Sequence, residues 1–165
     1  MIYEDKIKNS RNISDIFEVV KELVNKSVKL EQAGLLVGLS DLGMYNKGFI
    51  GAYYSLNANM IIINKKPLKR ILETNPQLYK YYLFHIILHE YIHSVGFYDE
   101  KQARQVVYEI SKNYFGQDHQ LTQLALNLEK FLPNLTYPST DFIPPENPNI
   151  EFVRGIDRKN LNYIG

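Results

Sequence analysis

Two histidines one helical turn apart, with a glutamate directly after the first, are the residues of this sequence best suited to chemistry. They are His89, Glu90 and His93, in the stretch HEYIHSVGFYDE. On a helix, side chains four residues apart share a face, with Cβ atoms about 5 to 6 Å apart. Both imidazoles can therefore reach one ion at Zn–N distances of about 2.0 to 2.1 Å. The spacing predicts a zinc site.

Glu90 suits a different role in the same site. It lies about 100° around the helix from His89, too far to join the same ligand set. From there its carboxylate can lean over a water molecule on the open side of the ion. Two ligands and one general base are the roles that the H-E-x-x-H pattern assigns in metallopeptidases. The structural alternative is a pair of core histidines that bind no metal.

An apolar stripe on the same helix predicts which face packs into the core. The stripe lies opposite Glu90 and consists of Phe84, Leu88, Tyr91, Ile92 and Val95. The two histidines fall just outside this arc. We therefore expect them at a rim between core and cleft.

A catalytic zinc site needs a third protein ligand and keeps its fourth position for water. The candidates are Asp99, Glu100, Glu109 and His119. Glu109 points away from the apolar stripe of its helix and is expected at the surface. Asp99 suits an N-cap, while the longer Glu100, in the first turn, can reach the ion. Glu100 is the preferred ligand, and Asp99 and His119 stay open as alternatives.

These motifs resemble those of the zincin metallopeptidases. HEYIH matches the zincin zinc-binding helix, and DEKQAR, residues 99–104, is similar to the glutamate helix of the gluzincin branch. Glu100 and Ala103 match that pattern, whereas Arg104 replaces an aspartate that many gluzincins carry. The short interval from His93 to Glu100 is like that of the compact archaeal minigluzincins.

The resemblance implies a function and a ligand set. It implies one Zn²⁺ held by His89, His93 and Glu100, and hydrolysis of peptide bonds with Glu90 as general base on a zinc-bound water. Extra donors to the oxyanion could be His119, Tyr108 or Tyr114. In the family an edge strand pairs with the extended substrate, and here that strand would fall within residues 48–55 or 59–64.

The metzincins are the rival branch. HEYIHSVGFYD also fits H-E-x-x-H-x-x-G-x-x-D, with Asp99 as third ligand. Metzincins carry a methionine turn downstream of that ligand, but Met1, Met44 and Met60 all precede the motif. The gluzincin interpretation is therefore preferred.

Hydrophobic periodicity and turn residues predict the elements that position these side chains. In the first half of the chain we expect a helix over 14–32 with Ser14 as N-cap, a buried strand within 33–42, a hairpin of strands 48–55 and 59–64, and a short helix from Pro67 to Pro76. In the second half we expect the histidine helix over 77–96, which ends at Gly96, and then a helix over 99–115. A last helix is expected over 118–132, with Asp118 as N-cap. The predicted class is α+β and zincin-like.

The chain is expected to divide into a metallopeptidase domain, residues 1–132, and an extended proline-rich C-terminal arm, residues 133–165. Five of the seven prolines lie between Pro133 and Pro148, which excludes a regular helix there. The arm also carries aromatic and branched side chains that it can bury. It would either cover apolar surface or lie across the cleft and block it.

Composition limits the other functions. The chain has 165 residues, a formal charge of +1 and no cysteine, which excludes disulfides and leaves histidine and carboxylate as ligands. We expect a cytoplasmic protein with a peptide or protein substrate and without nucleic-acid or membrane partners. Two alternatives are a catalytically inactive binding or regulatory protein on a zincin scaffold, and a DNA-binding helix-turn-helix around Gly116.

Overall fold

The computed structural model describes residues 2–43, 49–133, 135–136 and 149–156. These residues form an α+β fold with six helices, a four-stranded mixed sheet and a separate two-stranded sheet. The helices are α1 Ile2–Lys8, α2 Ile13–Val28, α3 Lys65–Thr74, α4 Tyr79–Ser94, α5 Glu100–Phe115 and α6 Gln120–Leu126, with 3₁₀ turns at Pro76–Leu78 and Leu128–Lys130. The strands are β1 Leu36–Ser40, β2 Phe49–Ile50, β3 Ala52–Ser55, β4 Met60–Asn64, β5 Leu135–Thr136 and β6 Glu151–Phe152.

The four-stranded sheet has the strand order β3-β4-β1-β6, and β2 pairs with β5 in parallel in the two-stranded sheet. The predicted hairpin is confirmed, since β3 pairs with β4 in antiparallel register, with Ala52 opposite Ile63. β1 runs parallel to β4, as expected of two strands separated by a long crossover. β4 lies between two strands, so its backbone cannot accept a substrate strand. Of the two ranges proposed for substrate pairing, only β3 lies at an edge of the sheet.

Helix α4 is the centre of the fold. It packs on α2, α5, α6 and β3, and every residue from Tyr82 to Ser94 is buried. Four of the five predicted stripe residues are buried and Val95 is partly buried against the core, but the predicted rim position is wrong: His89 and His93 are 1% and 3% exposed. The reason is that neighbouring elements cover this helix on all sides, which periodicity within the helix does not reveal.

Helix caps differ from the prediction at two places. Asn12, not Ser14, caps α2: its Oδ1 accepts from the Asp15 backbone N at 2.9 Å. His119, not Asp118, caps α6, with its Nδ1 accepting from the Leu121 backbone N at 3.0 Å. In both cases a side chain one or two positions away supplies the acceptor that the first turn needs.

Buried Asn64 joins three parts of the fold. Its Oδ1 accepts from the backbone N atoms of Leu42 and Lys66. The bond from Lys66 makes Asn64 the N-cap of α3, which begins at Lys65 rather than at the predicted Pro67. Its Nδ2 donates to the carbonyls of Gly43 and Ile50. The segment after β1 and the end of β2 are thereby fixed beside β4.

Strand β6 brings a piece of the predicted C-terminal arm onto the sheet. It pairs antiparallel with β1, placing Phe152 opposite Gly38. A Cβ at Gly38 would lie 2.5 Å from Ile150 Cγ2, so only glycine allows this close approach. Deleting all residues after Leu132 would therefore also remove two strands, β5 and β6. The division at residue 132 stays a prediction, and most of the arm lies outside the described residues.

Helix α1 was missed in the sequence. Its only buried residue is Ile7, so it has no apolar stripe for periodicity to detect. The other side chains act through polar contacts instead: Glu4 and Lys6 reach Tyr81 and Glu22 on neighbouring helices. These contacts place α1 against α2 and α4.

Candidate metal centre

The turn between α4 and α5 brings the predicted ligands together. Gly96, at φ 121°, reverses the chain after α4, where an L side chain would be strained. Asp99 then caps α5, because its side chain accepts from the Gln102 backbone N at 2.9 Å. This cap fixes the first turn of α5 so that Glu100 points back at the histidines.

Three side chains meet at one point. His89 Nε2 lies 2.7 Å from Glu100 Oε1, and His93 Nε2 lies 3.1 Å from Glu100 Oε2. One ligand atom from each of the three residues can be chosen so that all lie within 4.8 Å of one another. Among the described residues, this is the group of His, Asp and Glu side chains that could hold a metal ion.

The tautomer of His93 suits it to bind a cation. Its Nδ1 lies 2.7 Å from the carbonyl oxygen of Phe97, which can only accept, so Nδ1 carries the hydrogen. In the neutral imidazole the Nε2 lone pair then faces the Glu100 carboxylate. A lone pair and a carboxylate repel each other unless a proton or a metal ion lies between them. The arrangement therefore requires a positive charge at this point.

The contacts within the cluster also shift the pKa values of His93 and Glu100. Burial lowers the pKa of His93, but Glu100, Glu90 and the Phe97 carbonyl outweigh burial and raise it overall. Burial likewise raises the pKa of Glu100, but its contacts with His89 and His93 hold the pKa well below the usual range. Glu100 is thus a carboxylate ready to coordinate a cation.

Glu90 lies beside this cluster and is 3% exposed. Burial raises its pKa, an effect that the neighbouring histidines partly offset. The backbone N–H of Tyr54, on edge strand β3, donates to the Glu90 carboxylate. The carboxylate is therefore anchored from the sheet side, which the sequence motif alone did not reveal.

His85 adds a third imidazole on α4, one turn before His89. Their ring centroids are 6.4 Å apart. Complete burial lowers the pKa of His85 to about 3, with smaller contributions from His89 and Arg104. It is therefore neutral at physiological pH, and it was not among the residues singled out in the sequence.

The other predicted candidates lie elsewhere. Asp99 is occupied as the α5 cap, and Glu109 is exposed as expected, with Oε1 accepting from Gln105. His119 caps α6 through Nδ1, and its Nε2 lies 3.3 Å from Glu4 Oε1. The structure does not bring these residues into the cluster around Glu100. Tyr108 and Tyr114 are half-buried on α5 and gain no specific support as oxyanion donors.

The cluster fits the chemistry of zinc. Two imidazole nitrogens and one carboxylate are a ligand set found in catalytic zinc sites, which leave a fourth position open. Ligands about 2.0 to 2.1 Å from a tetrahedral ion stand about 3.3 Å apart. The shortest contacts, 2.7 Å from His89 Nε2 to Glu100 Oε1 and 3.1 Å from His93 Nε2 to Glu100 Oε2, involve different carboxylate oxygens, so Glu100 would move outward to admit an ion. The Phe97 carbonyl supplies the kind of outer hydrogen bond that orients a histidine ligand.

A small cavity of about 180 Å³ reaches the cluster from the side of α5 and α6. Its lining is formed by His85, His89, Arg104, Val107 and the segment 125–129. An open groove of about 570 Å³ runs alongside and shares Arg104 with the cavity. The groove is also lined by Glu100, so each space borders one of the candidate ligands.

Comparison of the chain with protein-family models, with curated proteins and with solved structures gave no match. The geometry of the described residues therefore carries the functional argument. None of the described helices combines the length and the apolar character needed to cross a bilayer.

Proposed function

We propose that this protein is a zinc-dependent peptidase of the zincin type, in which His89, His93 and Glu100 hold one Zn²⁺ and Glu90 is the general base. The observation that carries the proposal is the meeting of two imidazole Nε2 atoms and one carboxylate beside a buried, anchored glutamate. A structural zinc site would have no need of that glutamate. The peptide substrate and the cytoplasmic location remain predictions.

Zinc held by these ligands would act as a Lewis acid and would lower the pKa of a bound water from 15.7 to about 7. Glu90 would accept the proton as water attacks the peptide carbonyl, and would then deliver it to the leaving amine. Its raised pKa favours the first half of this role, because a stronger base accepts the proton more readily. The Tyr54 amide keeps the carboxylate in one orientation.

Edge strand β3 would hold the substrate. An extended peptide can add to a free sheet edge through backbone hydrogen bonds. β3 contacts α4 and donates a hydrogen bond to Glu90, so a peptide lying along it would pass close to the general base. An extended peptide backbone is therefore the substrate that this edge would suit.

The deciding experiment compares wild type with Glu90→Gln. Glutamine keeps an acceptor for the Tyr54 amide but cannot take a proton. We expect zinc content to be unchanged and peptide hydrolysis to fall about 10²- to 10⁴-fold, the usual contribution of a general base. Zinc would be measured by elemental analysis and hydrolysis with a mixture of fluorogenic peptides.

Glu109→Gln, at an exposed position of α5, is the matched control and should keep wild-type activity. Equal hydrolysis by wild type and Glu90→Gln would remove Glu90 from the mechanism. Stoichiometric zinc without hydrolysis in wild type would instead favour a catalytically inactive scaffold that binds a partner. Absence of bound zinc would reject the proposal at its first step.

A further inference from the structure

A groove of about 440 Å³ lies at β6, at the opposite edge of the four-stranded sheet from β3. It is lined by residues 10–13 and 151–154, together with side chains of α2, β1 and α4, and we call it the β6 groove. The buried side chains of Ile16 and Leu83 make part of its lining apolar. Phe152, which is 59% exposed, adds a large apolar surface. Exposed apolar surface of this kind, bordered by polar residues, is typical of a site that binds another molecule.

The β6 groove carries more positive than negative charge. Among the described residues that line it, Arg11, Lys80 and Arg154 are basic and Glu151 is the one acid. The Glu151 carboxylate lies 3.0 Å from Nζ of Lys65, which is outside the groove, so Glu151 does not balance the three cations. Lys80 Nζ donates to a neutral backbone carbonyl of α1. In the described part of the chain, no carboxylate pairs with the exposed guanidinium groups of Arg11 and Arg154.

Strand β6 offers backbone groups along the same groove. In its antiparallel pair with β1, Val153 N donates to Val37 O at 2.9 Å, and Phe152 faces Gly38. Hydrogen-bonded and non-hydrogen-bonded residue pairs alternate in such a ladder, so Phe152 turns its N–H and C=O away from β1. Among the described residues β6 is the last strand of its sheet. An extended segment could therefore pair with Phe152 through two backbone hydrogen bonds.

We propose that the β6 groove docks an extended segment of a partner protein that carries acidic side chains next to an apolar one. The backbone of the segment pairs with Phe152, its apolar side chain packs in the groove, and its carboxylates contact Arg11 and Arg154. Guanidinium groups bind carboxylates through paired hydrogen bonds. A nucleic acid would use the three cations but would gain little from an apolar lining and an open strand edge. The combination therefore favours a polypeptide.

The β6 groove is separate from the candidate metal centre. Leu83, which lines the groove, lies ten residues before His93 on α4, or about 15 Å along the helix axis. The proposed substrate edge, β3, is at the other side of the sheet. A bound partner would therefore leave the metal centre and β3 accessible, and the proposal does not depend on the peptidase function.

Binding is measured by fluorescence anisotropy on the full-length Glu90→Gln protein, which protects a peptide probe from hydrolysis if the proposed function holds. The acidic probe is a labelled peptide in which glutamate alternates with valine around a central phenylalanine. The matched basic probe has lysine in place of each glutamate. We expect the acidic probe to bind at least about tenfold more tightly than the basic one, and Arg11→Gln combined with Arg154→Gln to remove about tenfold of that affinity.

A matched control removes the same charge elsewhere. Lys69→Gln combined with Lys112→Gln changes two exposed positions outside the groove and should alter the affinity by less than about twofold. Phe152→Ala should weaken the acidic probe by about tenfold, because it removes the exposed apolar contact. Circular dichroism checks that each variant is folded. Equal binding of the two probes, or equal losses in the arginine and lysine variants, would reject the site.

Two further probes test how the segment binds and what class of molecule it belongs to. An acidic probe with all its internal amides N-methylated keeps the charges but cannot pair as a strand, and should bind at least about fivefold more weakly. Equal affinity for this probe would overturn the pairing with Phe152. A single-stranded oligothymidylate that binds more tightly than the acidic probe, and loses affinity in the arginine variant, would overturn the proposal in favour of a nucleic-acid site.

Discussion

Two histidines of this molecule contact a glutamate in similar ways, yet their environments differ. His93 Nε2 lies 3.1 Å from Glu100, and His119 Nε2 lies 3.3 Å from Glu4. At His93, Nδ1 donates to the Phe97 carbonyl, so the Nε2 of the neutral ring carries a lone pair. At His119, Nδ1 accepts from the Leu121 amide, so Nε2 carries the hydrogen and donates to Glu4.

The backbone group at Nδ1 thus distinguishes a candidate ligand from a structural histidine. A carbonyl oxygen at Nδ1 leaves Nε2 available to a metal, whereas an N–H at Nδ1 makes Nε2 a donor. The neighbours agree with this difference. His93 shares its carboxylate with a second imidazole, that of His89, whereas His119 shares Glu4 with Lys8 and Tyr81.

The largest expected effect is on zinc binding. His93→Gln should weaken zinc by more than about 100-fold, because losing a ligand costs more than losing its supporting hydrogen bond. His119→Gln should change zinc affinity by less than a factor of two. Isothermal titration of the metal-free proteins measures both. Similar zinc affinities for the two variants would contradict the distinction between His93 as a ligand and His119 as a structural residue. Circular dichroism would show whether a variant loses zinc because it is unfolded.

A smaller effect is expected on stability at His119. His119→Ala removes the α6 cap and the contact with Glu4, and should lower the free energy of unfolding by about 1 to 2 kcal/mol. His119→Asn keeps a capping acceptor and should recover most of the capping contribution. Urea denaturation measures the three proteins. Equal losses for alanine and asparagine would show that the cap contributes little.

The smallest effect is the acid dependence of the Glu4 contacts. Hydrogen bonding to Lys8, and then to His119, lowers the pKa of Glu4 from 4.5 to about 2. Between pH 4.5 and about 2, Glu4 is protonated in the unfolded chain but still ionised in the folded protein. The stability that the Glu4 contacts contribute above about pH 4.5 is therefore lost as the pH falls toward 2.

Glu4→Gln should therefore flatten the decline in stability between pH 4.5 and 2. The change at neutral pH should not exceed about 1 kcal/mol, because the ion pair is close to solvent. Thermal unfolding followed across this range measures the slope. Glu73→Gln, at an exposed position of α3, is the control. A wild-type slope in Glu4→Gln would assign the acid sensitivity to other groups.

Features set by neighbouring residues were predictable from the sequence. The β3–β4 hairpin, helices α4 and α5, the Asp99 cap and the convergence of Glu100 with both histidines all depend on short-range spacing and turn residues. Periods of two and of 3.6 residues, with glycine and proline between them, carry that information directly.

Features set by distant residues were not predictable. Pairing of β6 with β1 joins segments more than 100 residues apart, and the need for glycine at position 38 is recognisable only once Ile150 packs there. The hydrogen bond to Glu90 comes from a backbone amide, and any residue except proline at position 54 offers one. The His119 cap was missed because aspartate is the commoner capping residue.

The three candidate ligands lie close together along the chain. All three candidate ligands come from residues 89–100, on two helices joined by the tight turn at Gly96. Closing so short a loop costs little entropy, and contacts between such neighbours form early during folding. The three proposed zinc ligands therefore depend on local chain geometry and not on the pairing of distant segments such as β1 and β6.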